Sequence, residues 1–260
     1  MDCIVLIKQK NKILLLTGAS GGIGKPILEY FLVKVPQVIT SNRKELSEFW
    51  NKEKIPTNLD HLPRDLTIEK NVIEVFQHIK DQYGRLDILI NCIGASLFNH
   101  LIEEFPVDEF DKIIFLNLKS AFLLTKHAIR IMKKTGGNIV HFVSSSAKNI
   151  APGKAPYGSA KAGLAHFIHY AAYESAHYDI KVNGISPTYI FTPRHEKEIQ
   201  EKIEKTGIER DKIVRGIISR QLLQKPMYSK DLIEVTELLA TTEVITGQIY
   251  NCSMGEIQYY

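Results

Sequence analysis

Short apolar runs with no polar alternation recur along this chain, separated by stretches whose apolar residues return every three or four positions. The runs are Lys12–Leu16, Gln37–Thr40, a segment around Leu59–Leu62, Leu86–Ile90, Ile139–Val143, Lys181–Ser186 and Gly247–Cys252. An unalternating run suits a strand buried on both faces, as in a parallel sheet. Helical spacing holds for Ile27, Leu28, Phe31 and Leu32, and for Val72, Val75, Phe76 and Ile79 up to Tyr83-Gly84. It predicts further helices over Lys44–Glu53, from a cap at Asp108 to about Lys134, over Tyr157–Tyr178, and over Asp231–Leu239. Strands alternating with helices predict an α/β fold, a doubly wound, mostly parallel sheet with helices on both faces. No repeat, linker or low-complexity tract divides residues 1–260, which read as a single domain. The charged, weakly periodic stretch 194–220, with breaks expected at Gly207 and Gly216, reads as a mobile helical flap over a substrate site.

Candidate chemistry gathers where the strands end. The first runs into Thr17-Gly-Ala-Ser-Gly-Gly-Ile-Gly24 and then into a helix. Glycines there let the backbone turn tightly and approach a pyrophosphate, whose charge suits a helix N-terminus. Gly18, Gly22 and Gly24 fit GxxxGxG, and Gly18, Gly21 and Gly24 fit GxxGxxG. The second strand ends in Ser41-Asn42-Arg43, where dinucleotide folds place an acidic residue for the ribose of NAD. Neutral Asn42 and cationic Arg43 repel no 2′-phosphate, so NADP(H) is preferred and NAD(H) remains possible. The fifth run delivers Ser144, thirteen positions before Tyr157, and Lys161 follows Tyr157 by one helical turn. A phenol titrates near about 10, and a neighbouring cation would draw that value down and make Tyr157 an acid or base.

Composition narrows the classes. Of the 260 residues, 44% are hydrophobic and 24% charged, as in an ordinary globule. The net charge of +4 is spread without an arginine-rich arm, which argues against nucleic acid. Cys3, Cys92 and Cys252 are odd in number and widely spaced, so a reducing cytoplasm is expected and a disulfide framework is not. The runs Cys3–Ile7 and Ile13–Leu16 are too short for a leader or a membrane span, so no membrane partner is expected. Nine histidines form no metal-ligand spacing, and no metal is expected.

Together these motifs resemble the short-chain dehydrogenase/reductase family in its compact, single-domain, Rossmann-type form, from about residue 11 onward. The resemblance implies that Asn117, Ser144, Tyr157 and Lys161 form a catalytic tetrad. Tyr157 would protonate a carbonyl oxygen, Ser144 would hydrogen-bond it, Lys161 would acidify the tyrosine and hold the nicotinamide ribose, and Asn117 would anchor a water. Ser145 or Ser146 could stand in for Ser144. For the cofactor the resemblance points to Gly18, Ser20, Gly22, Ile23, Gly24, Asn42, Arg43, Asp65 (adenine), Leu66, Asn91, Ile93, Gly94, Pro187, Ile190 and Thr192, with Tyr157 and Lys161. It further implies a small-molecule carbonyl or alcohol substrate, and a homodimer or homotetramer built on the Asp108 and Tyr157 helices. Cys92-Ile93 in place of Asn-Ala, Thr188 after Pro187, and Asn251-Cys-Ser-Met-Gly-Glu256 near the C-terminus depart from the family pattern. Two other readings stand beside this one: a catalytically silent NADP-binding regulator or scaffold, and a nucleotide-sugar epimerase or dehydratase.

Overall fold

The structure, a computed structural model, describes residues 11–256; Cys3 and the run Cys3–Ile7 lie outside the described residues. Seven strands form one parallel sheet: β1 (Ile13–Thr17), β2 (Gln37–Asn42), β3 (Leu59–Pro63), β4 (Ile88–Asn91), β5 (Gly137–Phe142), β6 (Ile180–Pro187) and β9 (Ile249–Cys252). Their order is β3-β2-β1-β4-β5-β6-β9, so the chain reverses direction across the sheet between β1 and β4. Two short strands, β7 (Ile190–Phe191) and β8 (Met227–Tyr228), pair apart from it.

Period-two alternation buries both faces. Leu15, Ile39, Leu89, Ile139 and Val182 point to one side. There they meet α2 (Glu69–Tyr83), α4 (Ser120–Met132) and α5 (Ala155–Ser175). Leu14, Leu16, Val38, Ile88, Ile90 and Val140 point to the other, against α1 (Gly24–Leu32) and α8 (Ile233–Thr241). This is the doubly wound arrangement, and it sets ligand chemistry at the carboxyl ends of the strands.

Local differences from the sequence reading have local causes. Lys44–Glu53 forms no α-helix but two single 3₁₀ turns, Leu46–Glu48 and Lys52–Lys54. Glu45 and Glu48 cap one another across the first turn, Asn51 caps the second, and neither segment gathers the residues that helix nucleation needs. The helix expected from Asp108 begins at Val107 as α3 (Val107–Ile114), with Pro106 at its N-cap. Asp108 sits in the first turn instead and pairs with Lys112 at 2.7 Å. A π turn, Phe115–Lys119, separates α3 from α4 and carries Asn117; such widened turns gather at functional sites. The flap is a helix pair, α6 (Pro193–Thr206) and α7 (Arg210–Ile218), with its own small core of Phe191, Ile199, Ile213, Val214 and Ile218. Gly207 ends α6 in a left-handed cap, as expected, whereas Gly216 lies inside α7 and breaks nothing.

Candidate active site

Register brings polar residues into one row where the strands end. Thr17 pairs with Asn91, and Asn91 with His141. Thr17 Oγ1 donates to Asn91 Oδ1 at 2.9 Å, and the Ile93 amide donates to the same oxygen at 3.1 Å. Asn91 Nδ2 faces His141 Nδ1 at 3.2 Å, and Thr125 Oγ1, which donates to Ala121 O, faces His141 Nε2 at 2.9 Å. The amide donates to Nδ1, so the proton sits on Nε2 and the ring is neutral. Asn91 is thus a pivot for the Cys92–Gly94 turn, and its side chain is spent inside the protein. His141 sits within an apolar run, which hid it from the sequence reading.

Burial holds the His141 imidazole down from 6.5 to about 3. The folded protein therefore stays neutral there, while the unfolded chain gains a proton below about 6.5. Stability should fall as pH drops from about 6.5 towards about 3, by up to about 1.4 kcal/mol per pH unit from this residue. Urea midpoints between pH 7.5 and 4.5 should show a flatter slope in His141→Gln than in the native chain. Parallel slopes would remove His141 as the cause.

The glycine loop closes on itself and on that turn. A Cβ at Gly18, where φ is +76°, would stand 2.8 Å from Cys92 C, and one at Gly24 would stand 2.3 Å from Gly18 O. The loop is held by Gly18 N to Ser41 O at 3.2 Å and by Ser229 Oγ to Gly22 O at 2.7 Å. No side chain caps the start of α1, and its first turn carries no acidic residue. Free amides at a helix N-terminus, with no side chain in the way, fit a dinucleotide pyrophosphate.

A cleft of about 930 Å³ runs from this loop to the flap. Gly22, Ile23, Gly24, Ile93, Gly94, Ser144, Tyr157, Lys161, Pro187, Ile190 and Thr192 line it. Gly18, Ser20, Asn42, Arg43, Asp65, Leu66, Asn91 and Asn117 do not. Asn42 is buried, with Oδ1 accepting from Lys44 N at 2.9 Å and Nδ2 left without a partner, and Arg43 beside it is exposed. Leu66 is a core residue, and Asp65 Oδ1 is taken by the Thr67 amide and hydroxyl.

Tyr157 and Lys161 lie on α5, where Gly158 passes close to the Ser146 carbonyl, a Cβ there standing 3.0 Å from it. Ser144 Oγ accepts the Ser146 amide at 3.1 Å, and of the three serines it is the one whose hydroxyl acts on the Tyr157 phenol. Lys161 is 2% exposed, and its Nζ donates to Phe142 O at 2.7 Å and lies 5.8 Å from the Tyr157 ring centroid. Burial brings its pKa down to about 8. The expected acidification of Tyr157 does not emerge. Burial pushes the phenol above its ordinary value, against the opposing pull of the Ser144 hydroxyl and the Arg194 charge. The ammonium is committed to a strand-end carbonyl, and desolvation of a phenolate prevails.

The Asn117 side chain is engaged with the backbone around it. Its Oδ1 accepts from Ala95 N at 3.1 Å, and Nδ2 donates to Ala95 O at 3.0 Å and Ile113 O at 2.9 Å. The side chain holds the Ala95 segment beyond β4, with both Nδ2 hydrogens used. Gly94 lies close to both it and Lys161, since a Cβ on Gly94 would meet Asn117 Oδ1 at 2.7 Å and Lys161 Nζ at 2.8 Å. Cys92 lines the cleft as a thiol that burial raises, so it is no nucleophile. The sequence reading also missed Lys154 and Glu256, which join Arg194, His195, Glu198 and Ile217 of the flap in lining the cleft.

Comparison with known proteins agrees with this geometry. The family model for short chain dehydrogenases matches residues 12–203. The "Uncharacterized oxidoreductase YxjF" of Bacillus subtilis (strain 168) is 32% identical over 249 residues, covering 92% of this chain and 96% of its own. The NADP-bound structure of ElxO, 28% identical, superposes with a TM-score of 0.84 over 96% of this chain and 100% of that one. A short chain dehydrogenase from Leptospira borgpetersenii serovar Hardjo-bovis with bound NAD+, also 28% identical, has a TM-score of 0.81 and covers 95% and 93%. No helix among the described residues is long and apolar enough to cross a membrane.

Proposed function

The chain belongs to the short-chain dehydrogenase/reductase family, NAD(P)-dependent oxidoreductases of CH–OH and C=O groups, and on that premise we propose that it uses NADP(H) to interconvert a small-molecule carbonyl and its secondary alcohol. The observation that carries this reading is the convergence of Ser144, Tyr157 and Lys161 in a cleft whose far end is a glycine-lined helix start. When bound, the nicotinamide supplies the hydride.

The protein's own residues do the rest. Gly22, Ile23 and Gly24 would present amides to the pyrophosphate, and Asn42 and Arg43 would meet the adenosine ribose and its phosphate. Gly94, Pro187, Ile190 and Thr192 line the same cleft, and Asp65, outside its lining, would meet the adenine. Burial keeps Tyr157 protonated near neutrality, which suits donation to a carbonyl oxygen as it gains charge during reduction. Ser144, which lines the cleft beside that phenol, would hold the same oxygen. Lys161 would keep a positive charge under the ring, and Asn117 acts as a positioning residue that fixes the Ala95 segment beside it. The α6–α7 pair serves as the substrate flap of a single domain.

Fluorescence titration with NADPH and NADH, then a carbonyl panel with the tighter cofactor, tests the reading. Tight NADPH binding with no turnover on any carbonyl would favour the silent-binding alternative. Arg43→Ala is expected to weaken NADPH binding about tenfold more than NADH binding, the size of one charge-assisted contact. Equal losses would place the 2′-phosphate elsewhere. The exposed Phe110, Phe115, Phe122, Tyr170 and Tyr173 on and between α3, α4 and α5 support a homodimer or homotetramer, readable by sedimentation. The free thiols of Cys92 and Cys252 support a reducing cytoplasm as its location.

A further inference from the structure

Beyond Tyr157, at the flap end of the cleft, two cations face one carboxylate. Lys154 occupies the N-cap of α5, and its half-buried Nζ donates to Ser96 Oγ at 2.9 Å. No carboxylate lies within ion-pair distance of Lys154 among the described residues. Arg194, in the first turn of α6, meets Glu198 Oε1 through Nε at 3.2 Å. Its Nη2 donates to His195 Nε2 at 3.2 Å, and His195 Nδ1 donates to Ile190 O at 2.6 Å. His195 is therefore neutral in this arrangement and adds no charge.

The charges share one space. Glu198 and Arg194 both act on Lys154, and Arg194 also acts on Tyr157. A solvated charged face would explain Arg194, whose side chain is 59% exposed. It does not explain Lys154, drawn into the cleft and satisfied by one neutral hydroxyl. A partly desolvated cation gains most from an anion brought to it.

We propose that Lys154 and Arg194 form an anion subsite that grips a carboxylate on the substrate, and that Glu198 holds Arg194 until that carboxylate displaces it. Lys154 and Tyr157 are three residues apart at the start of one helix, an axial rise of about 5 Å. That separation suits a short oxo acid, with its carboxylate one or two carbons from the carbonyl. The assignment rests on the oxidoreductase reading above.

Acetoacetate and its neutral methyl ester form a matched test pair with NADPH. The native enzyme should favour the acid in kcat/KM by about tenfold or more, and Lys154→Met should bring that ratio near one. Lys154→Arg should keep the ratio within about threefold, and Glu198→Gln should raise it, since charge and competition set it. Calorimetric titration of acetoacetate into enzyme saturated with NADP+, where no reduction can run, reads the subsite without turnover. Binding weakened about tenfold in Lys154→Met, with circular dichroism unchanged, supports the subsite even if neither ketone is reduced; the oxidoreductase reading alone would then fail. Equal use of acid and ester, equal losses on both in Lys154→Met, a lower ratio in Glu198→Gln, or no acetoacetate binding overturns it.

Discussion

Replacing Tyr157 with Phe is expected to lower kcat about a thousandfold on any substrate the enzyme reduces, with a much smaller loss of NADPH affinity. The substitution removes one hydroxyl and leaves the ring in place. What is lost is the phenol hydroxyl on which the Ser144 side chain acts, the proposed proton donor in the cleft. General acid catalysis of this kind contributes about 10²–10⁴-fold, and the expected loss sits in the middle of that range. Ser144 would keep its amide partner at Ser146, so the strand end should not collapse. Single-turnover rates measured with saturating NADPH separate chemistry from binding. A variant that keeps more than about a tenth of native turnover would remove Tyr157 as the donor.

A comparably large effect is expected from Gly24→Ala, this time on binding. The new methyl would stand 2.3 Å from Gly18 O, backbone against side chain with nothing flexible to yield. The loop must open, and opening it moves the amides of Gly22 and Ile23 away from the position a pyrophosphate needs. NADPH affinity should fall at least about a hundredfold, and overpacking should cost about 1–3 kcal/mol of stability. The control is Gly216→Ala. Its methyl meets nothing within 4 Å and sits inside α7, so it should stabilise by up to about 1 kcal/mol and leave NADPH binding as it was. Fluorescence titration beside thermal melts reads both. Native NADPH affinity in Gly24→Ala would show that the loop does not cradle the cofactor.

Much of the frame was legible along the chain because its signals are local. A buried parallel strand needs only its own apolar run, and all seven expected runs fall on strands of the one sheet. The glycine loop was legible because strand, turn and helix are contiguous. Tyr157 and Lys161 were legible because one helical turn separates them, whatever the helix packs against. The Lys44–Glu53 stretch failed on the same ground: its charges look helical, yet reciprocal caps satisfy the backbone in shorter turns.

What escaped the linear reading depends on register and on burial, and both are properties of assembled strands. His141 reads as one polar letter in an apolar strand until the β4–β5 register sets it against Asn91 and α4 sets Thr125 behind it. Nothing in the chain around Asn117 announces that a π turn aims its amide at the backbone of Ala95, over twenty residues earlier. The acidity of Tyr157 follows the same logic. Spacing places a lysine one turn away, but desolvation depends on everything packed around the ring, and the carbonyl of Phe142 decides where the ammonium goes. Likewise Lys154 meets Ser96 and the charge of Arg194 only because α5, the β4 turn and α6 converge. Short-range chain geometry was enough to write down the strands, the phosphate-type turn and the Tyr–Lys pair. Which polar atoms are satisfied, and how readily each gives up a proton, is set by neighbours that folding alone brings within hydrogen-bonding distance.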